Sequence, residues 1–195
     1  MRFLVSFFIV LSFVSCKKEK VQHPTPVTGP EMEYIDLNNK AIKANTPVFS
    51  MDINQDGRAD LAFSTLLIGD YLNQVDKLQF LIASNIGVNL PVNASEEIPV
   101  LKKGESIMPQ NFNGYHWFEL ASIVLIQKVI SFTQPPVWEG HWKNAVRNYL
   151  PFQIMENEKR YNGWIELSVD IPGEKIMLHK IAISKEANRI VKAGE

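Results

Sequence analysis

From Tyr34 to the C-terminus, apolar and polar residues mostly alternate along the chain. The clearest case is residues 161–171, where Tyr161, Ile165 and Leu167 share one face and Glu166 lies on the other. This period of two is typical of a strand with one buried face. Pro172-Gly173 predicts a turn. Other predicted strands span 33–37, 47–51, 60–66, 77–83, 149–155 and 175–184.

Residues 117–132 are ambiguous, because the continuous apolar run at 123–126 fits either a buried strand or a helix. Its β-branched residues favour a strand. Residues 144–149 fit a single helical turn. Many short strands separated by turn residues predict an all-β fold, an antiparallel β-sandwich of the jelly-roll type. The length of this part of the chain predicts a single domain over residues 34–195.

The N-terminus has a different pattern, in which an apolar run follows Arg2 and continues to Val14. A helix of about twelve residues is only ~18 Å long, well short of the ~30 Å hydrocarbon core of a membrane. Residues 1–15 are therefore predicted to be a secretory signal peptide.

Cys16 is the only cysteine in the chain, and it directly follows the small residue Ser15 at the end of the apolar run. This arrangement resembles the lipobox of bacterial lipoproteins, although Phe13 stands where leucine is usual. The resemblance implies cleavage before Cys16, lipid on its sulfur and a place in the cell envelope, as an outer-membrane lipoprotein on either side of that membrane. The alternative is an ordinary cleaved signal that leaves a free thiol.

Residues 16–33 are rich in proline and charged residues and predict a flexible tether between the lipid and the domain. The whole chain has 20 basic and 21 acidic residues. Beyond residue 31 the two kinds are interspersed, so the sequence lacks the basic stripe that neutralises phosphates. We therefore expect no nucleic-acid partner.

One segment, residues 52–60, combines acidic, amide and glycine residues at a spacing with chemical meaning. Calcium prefers six to eight oxygen ligands, and alternate residues of a tight loop can all face inward. Gly57 would permit the positive φ that turns the chain back. The predicted structural calcium ligands are the side chains of Asp52, Asn54, Asp56 and Asp60 and the backbone carbonyl of Arg58. The alternative is a metal-free turn.

The loop resembles the D-x-N-x-D-G-x-x-D calcium loops of FG-GAP repeats and, in part, an EF-hand loop. Phe63 stands where an EF-hand carries its bidentate glutamate, and the flanking residues predict strands rather than helices. A propeller requires several copies of the repeat. The resemblance therefore implies a single calcium-loop hairpin.

A second resemblance covers nearly the whole mature chain. The calcium loop, the segment Tyr161-Asn162-Gly163-Trp164 and the C-terminal Ala193-Gly194 occur in the same order in secreted bacterial β-sandwich proteins of the PEP-CTERM-associated type. This chain lacks their C-terminal sorting segment. The resemblance implies export and a β-sandwich fold, and it implies no particular activity.

A cluster of aromatic and polar residues at 138–142 is a candidate ligand contact, composed of Trp138, Glu139, His141 and Trp142. Exposed tryptophans could stack on sugar rings while Glu139 binds hydroxyl groups. Since tryptophan is usually largely buried, we favour the alternative, in which these residues cover the edge of the sandwich.

No group of residues in the sequence forms a recognisable active site. The leading hypothesis is a non-enzymatic envelope protein that is stabilised by calcium and binds a glycan or a protein partner. The rival hypothesis is an exported polysaccharide hydrolase that uses Glu119 or Glu139, which requires two carboxylates facing each other. A third is a structural component of an envelope assembly.

Overall fold

The computed structural model describes residues 29–195, and this part of the chain forms thirteen strands and no helix. The longer strands are β1 (Met32–Lys43), β3 (Leu61–Asp70), β4 (Val75–Ser84), β8 (Ser122–Ser131), β10 (Asn148–Glu156), β11 (Lys159–Asp170) and β12 (Lys175–Ser184). The shorter ones are β2 (Phe49–Met51), β5 (Val88–Val92), β6 (Ser106–Ile107), β7 (His116–Glu119), β9 (Val137–Glu139) and β13 (Val191–Lys192).

Two large antiparallel sheets pack against each other. The six-stranded sheet has the order β1-β12-β11-β10-β5-β7, and the five-stranded sheet has the order β2-β3-β4-β8-β9. A two-stranded sheet of β6 and β13 completes the structure. The predicted antiparallel all-β sandwich is confirmed.

The main core lies between the two large sheets. Alternate residues of each strand face it, so that Phe63 and Phe80 of the five-stranded sheet share one apolar cluster with Leu150, Phe152 and Ile165 of the other. Burial of such side chains contributes about 1.5–3 kcal/mol each.

The six-stranded sheet is covered on its outer face as well. A second cluster joins Tyr149 and Trp164 on that face to Ile107 of β6 and Val191 of β13. The prediction that 161–171 has one exposed polar face is therefore wrong, because Asn162 and Trp164 on that face are buried beneath this second layer.

The ambiguous segment 117–132 contains parts of two strands, β7 and β8, which are separated at Leu120, where φ is 54°. Residues 144–149 form no helical turn, since β10 begins at Asn148. The first strand begins at Met32, inside the predicted tether. The predicted signal peptide, Cys16 and tether residues 16–28 lie outside the described residues.

Candidate functional site

The predicted metal loop, residues 52–60, connects β2 to β3. These strands form an antiparallel hairpin in which Met51 pairs with Leu61. The amide of Asp60 donates to the carbonyl of Met51 at 2.7 Å and closes the base of the loop. Gly57 has a φ of 88°, the left-handed conformation that the sequence predicted there. The loop is therefore the tip of a hairpin, as expected from its flanking residues.

The four predicted side-chain ligands all fold back towards the backbone of their own loop. Asp52 accepts hydrogen bonds from the amides of Asp56 (3.1 Å) and Gly57 (2.9 Å). Asn54 Oδ1 accepts from the amide of Asp56 at 3.2 Å, and Asp56 Oδ1 accepts from the amide of Arg58 at 2.8 Å. The side chains are thus held on the inside of the turn.

Asp60 is the most unusual member of the loop, because the residue is only 5% exposed. Its Oδ2 accepts hydrogen bonds from the amides of Ile53 (2.6 Å) and Asn54 (3.2 Å). Desolvation raises the pKa of this carboxyl above its ordinary value, and the charges of Asp56 and Asp52 raise it further, against the lowering effect of the two amides. The negative charge on Asp60 is therefore poorly compensated.

The loop has one basic side chain. The Arg58 guanidinium lies 3.3 Å from Asp56 Oδ2, and its side chain is largely exposed. The amide of Arg58 is the main cause of a lowered pKa at Asp56. Arg58 makes no ion pair with Asp60 or Asp52 among residues 29–195, so the buried carboxylate has no cationic partner from this side chain.

The donor chemistry of the loop fits calcium, since every predicted ligand is a hard oxygen. The carboxylates are not gathered as a ready-made site, however. Residues 29–195 contain no group of three or more Asp, Glu, His or Cys side chains placed to share one metal ion. Asn54 and the carbonyl of Arg58 are not among those residue types. Binding would thus require the carboxylates of Asp52, Asp56 and Asp60 to move closer together.

The loop also contacts the opposite sheet. Asn54 Nδ2 donates to Glu156 Oε1 at 3.0 Å, at the end of β10. Here β10 turns into β11 through Asn157 and Glu158, which both have positive φ, as in a type I′ hairpin turn. The β2–β3 hairpin therefore joins the two sheets at one end of the sandwich.

The tryptophan cluster at 138–142 does not match the candidate ligand contact and is closer to the alternative that the sequence favoured. Trp142 is 1% exposed, and its indole N–H donates to the carbonyl of Ile98 at 3.1 Å. Gly140 makes this possible, because a Cβ at that position would lie 2.6 Å from the carbonyl oxygen of Leu125. The prediction of Trp142 as a ligand contact is therefore corrected: it is a core residue.

The other members of that cluster do not converge on a cavity. Trp138 is partly buried, with its ring 5.8 Å from that of Phe80. Glu139 accepts a hydrogen bond from Gln127 at 3.0 Å, and His141 is exposed. The structure thus favours the edge-covering alternative for this cluster.

The two carboxylates of the hydrolase hypothesis lie in different sheets. Glu119 is in β7 and accepts from the amide of Gly87, whereas Glu139 is in β9 at the edge of the other sheet. Glu119 is thus bound to the turn before β5, and Glu139 to Gln127 of β8. The arrangement offers no support for a catalytic pair.

Sequence reasoning missed two polar groupings. One is a cavity on the outer face of the six-stranded sheet, lined by residues such as Asn89, Gln153 and Arg160. The other is a hydrogen-bonded chain in which His179 Nε2 lies 2.8 Å from Ser168 Oγ and His179 Nδ1 lies 2.7 Å from Asn39 Oδ1. Both depend on strand pairing between residues distant in sequence, which local spacing does not predict.

Comparison with known proteins gives no assignment: no protein-family model, curated protein or solved structure matches the chain. Within residues 29–195, no helix is long and apolar enough to cross a membrane.

Proposed function

We propose that this chain is a non-catalytic lipoprotein of the bacterial cell envelope with a binding or structural role, and that calcium stabilises its β-sandwich at residues 52–60. The observation that carries the calcium proposal is the buried carboxylate of Asp60. Burial and the charges of Asp56 and Asp52 raise its pKa. A divalent cation would neutralise this charge. The lipid anchor rests on the sequence before Cys16.

The loop supports a structural role for the ion rather than a catalytic one. Its side chains are fastened to the loop's own amides, and Asn54 joins the loop to Glu156 of the other sheet. An ion held here would fix the hairpin against both sheets. Because extracellular calcium sites bind at about 0.1–1 mM, millimolar calcium would add about 0.4–1.4 kcal/mol to the free energy of unfolding.

The test is thermal melting of the full chain in calcium, in magnesium and in chelator. We expect 1 mM calcium to raise the midpoint by roughly 1–5 °C over chelator. Magnesium should have a smaller effect, since it demands a stricter octahedral geometry. Equal midpoints in calcium and chelator would contradict the calcium proposal.

The variant Asp60→Asn separates calcium binding from ordinary hydrogen bonding. In chelator at pH 7 we expect it to be at least as stable as the wild type, because a carboxyl with a raised pKa destabilises the folded state once it ionises. In calcium it should lose the stabilisation that the wild type gains. The matched control is Asp76→Asn in the β3–β4 hairpin, and this variant should keep the full calcium response.

A further inference from the structure

A polar cavity of about 300 Å³ lies on the outer face of the six-stranded sheet. Gln153 and Asn89 pair across β10 and β5, and Met155 pairs with Arg160 across β10 and β11. Along β10, Gln153 and Met155 alternate with Phe152 and Ile154, which belong to the main core. Gln153, Met155 and their partners on the neighbouring strands therefore face away from that core. The loop at Pro109 and the ring of Trp117 close the cavity on its other side.

The floor of the cavity is a fixed set of amides. Gln153 is 1% exposed and donates to the carbonyl of Pro109 (3.1 Å) and to Asn162 Oδ1 (2.8 Å). Its Oε1 accepts from Asn89 Nδ2 at 3.3 Å. Within residues 29–195, the side-chain Oδ1 and the second Nδ2–H of Asn89 have no other hydrogen-bond partner and would face a ligand. Since these amides are already held in place, binding would cost little side-chain ordering.

Trp117 is a rigid wall beside this floor. Its indole N–H donates to the carbonyls of Met108 (3.3 Å) and Gln110 (3.2 Å), and its ring lies 5.8 Å from that of Phe112. Asn111 Oδ1 accepts from the backbone amide of Trp117 at 3.1 Å. An aromatic ring fixed beside amides suits a molecule with both an apolar C–H face and hydroxyl groups.

Arg160 supplies the only charge among the residues that line the cavity. Its backbone is fastened to Asn188, with hydrogen bonds of 3.3 Å and 2.7 Å. Its guanidinium takes part in none of the seven ion pairs among residues 29–195. A guanidinium that makes no ion pair in the described part of the chain matches a carboxylate, which it can bind through two parallel hydrogen bonds.

We propose that this cavity binds an acidic sugar, a hexuronate unit of a glycan. The amide of Asn89 would meet its hydroxyl groups, Trp117 its C–H face and Arg160 its carboxylate, while the buried Gln153 holds Asn89 in place. The volume lies at the lower end of the range for small-molecule sites, about 300–1,000 Å³, which suits one end or one unit of a chain. The proposal extends the binding role above to a site distinct from the calcium loop.

The test is isothermal titration of the full chain with digalacturonate and diglucuronate, with the uncharged galactobiose as the matched disaccharide. We expect saturable binding of at least one uronate disaccharide, and galactobiose should bind roughly 10–100-fold more weakly. Inorganic phosphate and acetate are further probes. No binding of either uronate, or equally tight binding of phosphate or acetate, would overturn the proposal.

Variants locate the site. Arg160→Gln should weaken uronate binding roughly 10–100-fold and leave galactobiose binding unchanged. The uronate affinity of Arg160→Lys should lie between those of the wild type and Arg160→Gln, since lysine keeps the charge but lacks the paired donors of the guanidinium. Lys159→Gln removes the same charge at the exposed neighbouring position and should bind as the wild type does. Equal losses in Arg160→Gln and Lys159→Gln would indicate diffuse attraction and overturn the proposal.

Titrations are run without added calcium, because uronates themselves bind calcium. Near-ultraviolet circular dichroism confirms that each variant is folded before titration. The calcium proposal is tested separately, by melting without sugar. Failure of one proposal is therefore distinguishable from failure of the other.

Discussion

At the scale of single residues, His179 illustrates how an irregular sheet satisfies a polar side chain. Glu166 pairs with Lys180 and Leu167 with Leu178, so His179 is the extra residue of a β-bulge in β12. Its ring nitrogens reach Ser168 and Asn39, and Asn39 itself has a positive φ in the matching irregularity of β1. The amide of Arg147 donates to Ser168 Oγ at 2.9 Å. The hydrogen-bonded chain of Ser168, His179 and Asn39 therefore stabilises the bulge.

This bulge predicts a pH dependence of stability. Desolvation is the main cause that lowers the pKa of His179, and the charge of Arg147 lowers it further, whereas Glu166 raises it. The unfolded chain therefore binds a proton more readily than the folded one. The contribution of His179 is fully present above the ordinary histidine pKa of about 6.5 and is lost as the pH falls through the lower folded value.

Urea unfolding of the wild type and His179→Gln between pH 5 and pH 8 measures this effect. We expect the variant to be less stable by about 1 kcal/mol at pH 8, and the difference should shrink towards pH 5. His141→Gln, at an exposed position, is the matched control. A constant difference across this range would contradict the assignment.

At the scale of elements, Gly163 explains why the Tyr-x-Gly-Trp segment of β11 needs a glycine. A Cβ at this position would lie 2.4 Å from Cζ of Phe152 and 2.5 Å from the carbonyl oxygen of Ala182. The ring of Phe152 occupies the space above the glycine, and the backbone of β12 closes the other side. The glycine therefore sets how closely β10, β11 and β12 pack.

We expect Gly163→Ala to lower the free energy of unfolding by about 1–3 kcal/mol or more, because both Phe152 and a backbone carbonyl must move. Gly69→Ala is the matched control: it is also in a strand, and its nearest neighbour, Asp76 Oδ1, is at an ordinary 3.5 Å. Chemical denaturation measures both variants. Similar losses at the two positions would contradict the packing argument.

Most of the long strands could be predicted from alternation and turn residues. The predicted strand at 175–184 has the same bounds as β12, and 149–155 lies within β10. By contrast, β5 was missed because its Pro91 and Asn89 are unfavourable to a strand in isolation. The burial of Asn162 could not be predicted either, since it depends on a second layer formed by distant residues.

At the scale of the whole molecule, the candidate sites differ in how far apart in the sequence their residues lie. Residues of the predicted calcium loop fall within nine positions, so their spacing alone suggested them. The cavity residues Asn89, Gln153 and Arg160 come together only through the order of β5, β10 and β11. The cluster at Trp142 left two alternatives open, because an aromatic residue beside an acid has the same local pattern whether it is exposed or buried.

The lipid anchor is the prediction that concerns the whole molecule. The first described strand begins at Met32, so at most fifteen residues, 17–31, separate Cys16 from the domain, or about 55 Å of fully extended chain. A single acyl chain binds a membrane only marginally, whereas the several chains of a bacterial lipoprotein give stable attachment. On this prediction, attachment begins at the one sulfur of Cys16, the single cysteine of the chain.

We expect Cys16→Ser to move the protein from the membrane fraction to the soluble fraction of the exporting cell, or to leave its signal peptide uncleaved, since no other residue can carry the lipid. Fractionation and intact-mass measurement of the wild type and the variant test this. Ser12→Ala, a small change within the apolar run, is the matched control and should remain attached. If Cys16 of the mature wild-type protein reacts with maleimide, it carries a free thiol and the lipid prediction is wrong. Any attachment to the envelope would then depend on contacts of the folded domain alone.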